Sequence, residues 1–184
     1  MCGQFAILGS LKAIKDYYEF LKNGDFLLDE NDFYKYDTSE MINLPNMCIK
    51  PINWVPIVVA NKKHINLISA RWGLVPFWAK DESIANKTIN ARFETLIEKP
   101  SFKYAYQQRR CLIPFTSYAE KGVWFENENS VFKSFAGLYE VWGDNKLITF
   151  TIITCIANDE VAKVHHRMPL VLNENEAIQW LNYA

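Results

Sequence analysis

The stretch RRCLIPFTSYAEKGVWFENENSVFKSFAGLYEVWGDNKLITFTIITCIA, residues 109–157, decides the fold. Four β-rich runs lie in it, at Arg110–Phe115, Val123–Glu126, Val131–Trp142 and Leu147–Cys155, separated by Gly, Asn and Asp turn signals. Two more runs of the same kind stand upstream, at Val55–Ala60 and Ile65–Trp72. No alternation of strand and helix and no internal repeat accompanies them, so the pattern predicts an α+β fold built mainly on antiparallel sheet. A few helices flank the sheet. Leu11, Ile14, Tyr17, Tyr18 and Leu21 recur at helical spacing and predict a helix over Leu11–Asn23, with Gly24 as its stop. The segment NARFETLIEKPSFKYAYQQ, Asn90–Gln108, reads as a helix interrupted at Pro100 and resumed, and Asn173–Tyr183 reads as a final helix. Between the first helix and the first strand, Asp25–Asn46 is polar and mixed and reads as a long surface loop.

A chain of 184 residues, 49% of them hydrophobic, is sufficient for one domain with a substantial core. Seven Gly, seven Pro and 22% charged residues without a low-complexity run exclude a disordered or linker-dominated chain. Twenty basic residues against 21 acidic ones leave a formal charge of −1, so a nucleic-acid site has to be a local patch of cations and aromatics. No basic start precedes an apolar run, and no apolar stretch is long enough to span a bilayer, so the expected location is the cytoplasm. Cys2, Cys48, Cys111 and Cys155 lie far apart with no CxxC, which predicts reduced thiols and no zinc site. Cys111 and Cys155 read as small hydrophobes buried in strands.

Cys2 stands apart because it follows Met1 directly. Removing the methionine would leave an α-amine and a thiol on one residue, with ordinary pKa values of about 8 and about 8.5. Such a 1,2-aminothiol captures aldehydes: the amine forms an imine, and the thiol closes onto it as a thiazolidine. Three polar residues interrupting apolar surroundings are candidate partners. Asn90 stands at an apparent helix start, where an N-cap is its ordinary role. Glu120 follows the apolar CLIPF run, where desolvation favours acid–base use. His165 precedes His166-Arg167-Met168-Pro169. In ARWGLVPFWAKD, residues 70–81, Trp72, Phe77 and Trp78 lie among Arg71 and Lys80, with Lys87 and Arg92 beyond, a composition suited to stacking unpaired bases beside phosphate contacts.

Taken in order, MCGQF, RWGLVPFWAKD, INARFET, RRCLIPFTSYAE, AGLYEVW and VHHRMPLVL resemble the SRAP family, the SOS response-associated peptidases or abasic-site processing proteins. The resemblance covers nearly the whole chain and implies a single SRAP domain, residues 1–184, with barrel-like sheets. It implies protection of abasic sites in single-stranded DNA through a thiazolidine on the N-terminal cysteine, after self-catalysed loss of Met1, with lyase activity at abasic sites as a side reaction. It implies Cys2 as nucleophile, Asn90 as positioning amide, Glu120 as acid–base carboxylate and His165 as catalytic histidine. It also implies Trp78, Arg92 and Arg167 along the DNA, and the aromatic–cation stretch adds Trp72 to the DNA-binding candidates. No metal, no organic cofactor, no membrane and a monomer are expected; the partner is single-stranded DNA carrying abasic sites.

The chain departs from the family pattern at several places. Gln4 stands where MCGRF has Arg, removing one phosphate contact and some salt dependence. SYAEK replaces GFYEW, ending in Lys121, and the YN(x)AP element survives only loosely as MCIKP at Met47–Pro51. The sequence ends at Ala184, where family members commonly continue. Two other readings compete. An N-terminal-nucleophile amidohydrolase also begins MCG, but lacks here its GHTRW-like and NGD elements. A non-covalent reader of single-stranded or modified DNA would use Trp78 and Arg92 without bond formation.

Overall fold

A computed structural model describes residues 2–27, 47–62, 64–128 and 131–182. Most of the expected surface loop, from 28 to 46, lies outside the described residues. At its start, however, Phe26 is buried and Leu27 bridges to His64, so the chain is still pinned to the body there.

The six anticipated strands are present: β3 Trp54–Asn61, β4 His64–Trp72, β6 Arg110–Phe115, β8 Val123–Glu126, β9 Lys133–Trp142 and β10 Leu147–Ile156. Short strands complete the set: β1 Gln4–Ile7, β2 Met47–Ile49, β5 Asn90–Arg92, β7 Ser117–Glu120, β11 Arg167–Pro169 and β12 Val171–Leu172. They form two sheets. One runs β2-β1-β7-β8; in the other, β10, β4, β3, β6 and β9 pair in turn, and β9 pairs back to β10, closing a ring. Most pairings are antiparallel, but β10 runs parallel to both β4 and β5.

The sheets share one core. Phe5 of β1 packs edge-on against Trp72 of β4 at 5.2 Å and Phe135 of β9 at 5.7 Å, while Phe115 and Phe135 stack at 3.6 Å. Trp72 is fully buried, and its indole N–H donates to the Ile89 carbonyl at 2.8 Å. Deleting this side chain leaves a large cavity and removes one of the two donors to that carbonyl, which keeps the Ile152 amide, so Trp72→Ala is expected to lower unfolding free energy by about 3–5 kcal/mol in urea titrations. Close approach explains Gly137: a Cβ there would lie 2.1 Å from Ile113 Cδ1.

Helix α1, Leu11–Tyr17, is capped by Ser10 Oγ, which accepts from the Ala13 amide. Beyond it the backbone tightens into a 3-10 turn over Tyr18–Gly24 instead of continuing as α-helix to Asn23. Three-residue spacing brings Tyr18 and Leu21 into line, and both are buried. The expected helix over Asn90–Lys99 is also corrected. Asn90–Arg92 pairs with Ile152–Thr154, and Phe93–Thr95 is a 3-10 turn; hydrogen bonding to β10 overrides local propensity. Pro100 does not interrupt a helix but begins α2, Pro100–Gln108, where its missing N–H costs nothing. A single turn, α3, spans Asp159–Ala162. The final helix α4, Glu174–Asn182, starts with reciprocal bonds between Asn173 and Glu176.

Candidate functional site

Four separate pieces of chain meet at Cys2. Gln4 pairs with Ala119, so the residues ahead of β1 are carried to the end of β7, where Glu120 sits. Asn90 opens β5, fixed to β10 through Ile152. His165 ends the turn after α3, its amide donating to the Val161 carbonyl at 2.8 Å, and β11 follows immediately.

The side chains complete the arrangement. Asn90 Nδ2 donates to the Cys2 carbonyl at 2.7 Å, so Asn90 is not the N-cap its sequence position suggested. Asn90 Oδ1 is buried and accepts no hydrogen bond among the described residues. Glu120 Oε2 lies 3.7 Å from His165 Nδ1, with both side chains almost completely enclosed. The Arg167 amide also reaches His165 Nδ1, at 3.1 Å. Nδ1 therefore faces one donor, the Arg167 amide, and two acceptors, the Arg167 carbonyl at 3.0 Å and the Glu120 carboxylate: with its proton on Nε2 the ring accepts from the amide, and with a proton on Nδ1 it donates to the carbonyl or the carboxylate. The pair is therefore arranged to hold and move a proton beside Cys2.

Cys2 itself is fully buried. Burial, reinforced by the nearby Glu120 carboxylate, pushes its thiol up to about 12. The Sγ–H points to the Gln4 carbonyl at 3.5 Å. In this closed state the sulfur is an un-ionised thiol, and thiolate chemistry requires a base or an opening of the site. Cys48 is exposed, whereas Cys111 is buried and its thiol is pushed upward by desolvation. Iodoacetamide at pH 8 is accordingly expected to label Cys48 quickly and Cys2 at least tenfold more slowly, as peptide mass mapping will report. Cys155, expected to be buried, is only half-buried at the edge of β10.

Of the four residues anticipated along a DNA strand, two face solvent. Trp78 is 48% exposed and Arg92 is exposed on β5. Trp72 lies inside the core against Phe5 and Phe150 and has no face open to a base; the sequence offered no means of telling it from Trp78 except the Pro76 turn between them. Arg167 is likewise buried. Its guanidinium forms a two-pronged pair with Glu94 at 2.8 and 2.9 Å and donates to the Thr154 carbonyl at 2.6 Å. Arg167 thus clamps β11 to the 3-10 turn after β5 and holds the backbone that orients His165. Glu94, which Arg167 keeps below the usual carboxylate range, was not anticipated, although it sits in the quoted INARFET motif.

Lys121, φ 47°, and Gly122, φ 82°, form the two-residue turn between β7 and β8, so Lys121 lies exposed at a tight hairpin bend. Among the described residues, no group of three or more His, Cys, Asp or Glu is placed to hold a metal ion, and no helix is long and apolar enough to cross a membrane.

The sequence model of the family described as SOS response associated peptidase (SRAP) matches residues 1–184. Abasic site processing protein YoqW of Bacillus subtilis is 34% identical over 197 residues, covering 99% of this chain and 80% of that protein. Abasic site processing protein YMR114C of Saccharomyces cerevisiae is 29% identical, over 94% of this chain and 52% of its own length. A crystal structure of a Bacteroides thetaiotaomicron protein superposes with a TM-score of 0.73 at 27% identity, covering 100% of this chain and 82% of that one.

Proposed function

We propose, from the premise that this chain belongs to the SOS response associated peptidase (SRAP) family, that it processes abasic sites in single-stranded DNA by bonding them covalently to Cys2. The observation that carries the reading is the convergence on Cys2: Asn90 holds its carbonyl at 2.7 Å, and the Glu120–His165 pair, 3.7 Å apart, stands beside its thiol.

The reaction begins with hydrolysis of the Met1–Cys2 peptide bond, water supplying the hydroxyl to methionine and the proton to the new Cys2 amine. Asn90 fixes the carbonyl side of Cys2 during this step, and Glu120 serves as the base for the attacking water. The freed amine then attacks C1′ of the ring-opened deoxyribose. Loss of one water gives the imine. Sγ adds across the C=N bond, its proton passing through the carboxylate to the nitrogen, and a five-membered thiazolidine closes. His165, protonated, donates to the departing sugar oxygen and can later return a proton when the ring opens again. The unfilled Asn90 Oδ1 is placed to accept from the amine or a sugar hydroxyl. An imine that fails to close loses the 3′ phosphate by β-elimination, which is the lyase side reaction. Trp78 and Arg92 supply the stacking face and the cation for the strand, while Arg167 acts through His165 and Glu94.

The test is a denaturing gel after incubation with a single-stranded oligonucleotide carrying one abasic site. A slowly migrating, heat-stable band supports the reading. Its absence, with strand binding retained under native conditions, replaces it with that of a non-covalent reader.

A further inference from the structure

The start of β10 borders a cavity of about 660 Å³ that the chemistry at Cys2 does not use. β5, which brings Asn90 to Cys2, pairs with Ile152–Thr154 further along the same strand, about four extended residues or roughly 13 Å from Ile148 at the cavity. Strand register builds the first wall. Trp54 of β3 pairs with Arg71 of β4, and Val55, Ala70 and Trp72 beside them in sequence are fully buried, so the Trp54 and Arg71 side chains turn outward together. Trp142, at the end of β9, supplies a second indole; its N–H donates to the Ala79 carbonyl at 2.8 Å, which holds the ring in place. The Gly143–Lys146 turn, closed by the Lys146 amide on the Gly143 carbonyl at 3.1 Å, adds Asp144 and Lys146 to the lining.

The charges of the cavity are set at different depths. The Arg71 side chain is 15% exposed and pairs at 2.6 Å with Glu82, whose own side chain is 48% exposed at the start of the 3-10 turn Glu82–Lys87. Arg71 Nε is buried and has no hydrogen-bond partner among the described residues, so the protein leaves part of a deeply set guanidinium unsatisfied. Such a fork suits a second anion, a phosphate above all. The sequence groups Arg71 with Trp78, but the β3–β4 pairing sets it beside Trp54 instead.

We infer that this cavity is a binding site for a free ribonucleoside phosphate: the base lies against the Trp54 and Trp142 indoles, the ribose diol donates to Asp144, and the phosphate meets Lys146 and the Arg71 guanidinium. The volume is that of a small-molecule site. Each part of such a ligand finds its usual counterpart, an aromatic ring for the base, a carboxylate for paired hydroxyls and a cation for the phosphate. Glu82 and Asp144 offset Arg71 and Lys146 along the lining, which disfavours a long polyanion, whose binding grows with the number of phosphates neutralised. A purely apolar ligand fits no better, since it strips water from four charged groups without replacing any hydrogen bond. The inference stands apart from the reaction at Cys2 and holds whatever bond that residue makes.

The test is isothermal titration calorimetry of the whole chain with each of the four ribonucleoside 5′-monophosphates. At least one is expected to bind, and more tightly than its 2′-deoxy form, its unphosphorylated nucleoside or inorganic phosphate. Trp54→Ala should weaken that binding about tenfold or more, and Trp54→Phe should keep most of it. Asp144→Asn should bring the ribose and deoxyribose forms to equal affinity, while Lys146→Gln should weaken the nucleotide and leave the nucleoside unchanged. All three positions are exposed, and cooperative thermal unfolding at the wild-type temperature shows each variant intact. Absence of binding by all four at millimolar concentration overturns the site. So does unchanged affinity in Trp54→Ala, equal wild-type affinity for ribose and deoxyribose forms, or inorganic phosphate binding as tightly as the best nucleotide.

Discussion

Cys2→Ala is expected to abolish the denaturation-resistant adduct with abasic single-stranded DNA completely while leaving native binding within about twofold of wild type. The expectation follows from bond accounting. Alanine at the same position still offers an α-amine once Met1 is gone, so an imine can form, but no sulfur is present to close the ring. The imine then hydrolyses or eliminates. Strand cleavage should therefore persist or rise as the stable adduct disappears, which separates this variant from one that is merely misfolded. The removed sulfur is buried in the core cluster, so a small loss of stability accompanies the change, and thermal denaturation should show the variant still folding cooperatively.

The second large effect is expected at Glu120. Glu120→Gln keeps the shape and removes the charge, and the rate of adduct formation should fall by about 10²–10⁴-fold, the usual loss when a general base is removed. The same change has an opposite consequence at the sulfur. The Glu120 carboxylate repels a developing thiolate and is the second cause, after burial, of the high Cys2 pKa. Removing the charge lowers that pKa, so alkylation of Cys2 at a fixed alkaline pH should become faster than in wild type even as adduct formation slows. A variant that slowed both would indicate general disruption of the site. The sign for stability runs the same way: a thiol raised above its unfolded value stabilises the fold at pH below its ordinary value near 9, and that contribution is lost as pH rises towards about 12. Alkaline destabilisation should accordingly be weaker in Glu120→Gln.

How much of this was legible in the residues depends on whether the determining contacts are local. The runs Arg110–Phe115 and Val123–Glu126 are strands over those same bounds, short apolar or aromatic runs that end at Thr116-Ser117 and lie between Gly122 and Asn127 respectively. Asn90–Arg92 was misread because its pairing partners lie some sixty residues away on β10, and a three-residue strand carries no periodicity of its own. Trp72 and Trp78 look alike in sequence. The Pro76 turn between them is the one local hint, and the ring closure that puts Trp72 between Phe5 and Phe150 separates the core residue from the exposed one. Arg167 raised the same difficulty, since its carboxylate partner Glu94 is distant in the chain and emerges only when β11 and β5 are brought to opposite sides of Thr154. Cys2, Asn90, Glu120 and His165 were each only weakly marked by their surroundings, and it was the order of motifs resembling a family that drew them together. Their gathering around one carbonyl and one thiol was supplied by β1 pairing with β7 and β5 pairing with β10.

The most direct measurement is the intact mass of the purified protein before and after incubation with an abasic single-stranded oligonucleotide. The account predicts a protein lacking Met1, and then an adduct whose mass is the sum of processed protein and oligonucleotide less one water, absent from Cys2→Ala. A protein that has lost Met1 and still shows no added mass, under conditions where native binding is saturated, would contradict covalent capture at Cys2.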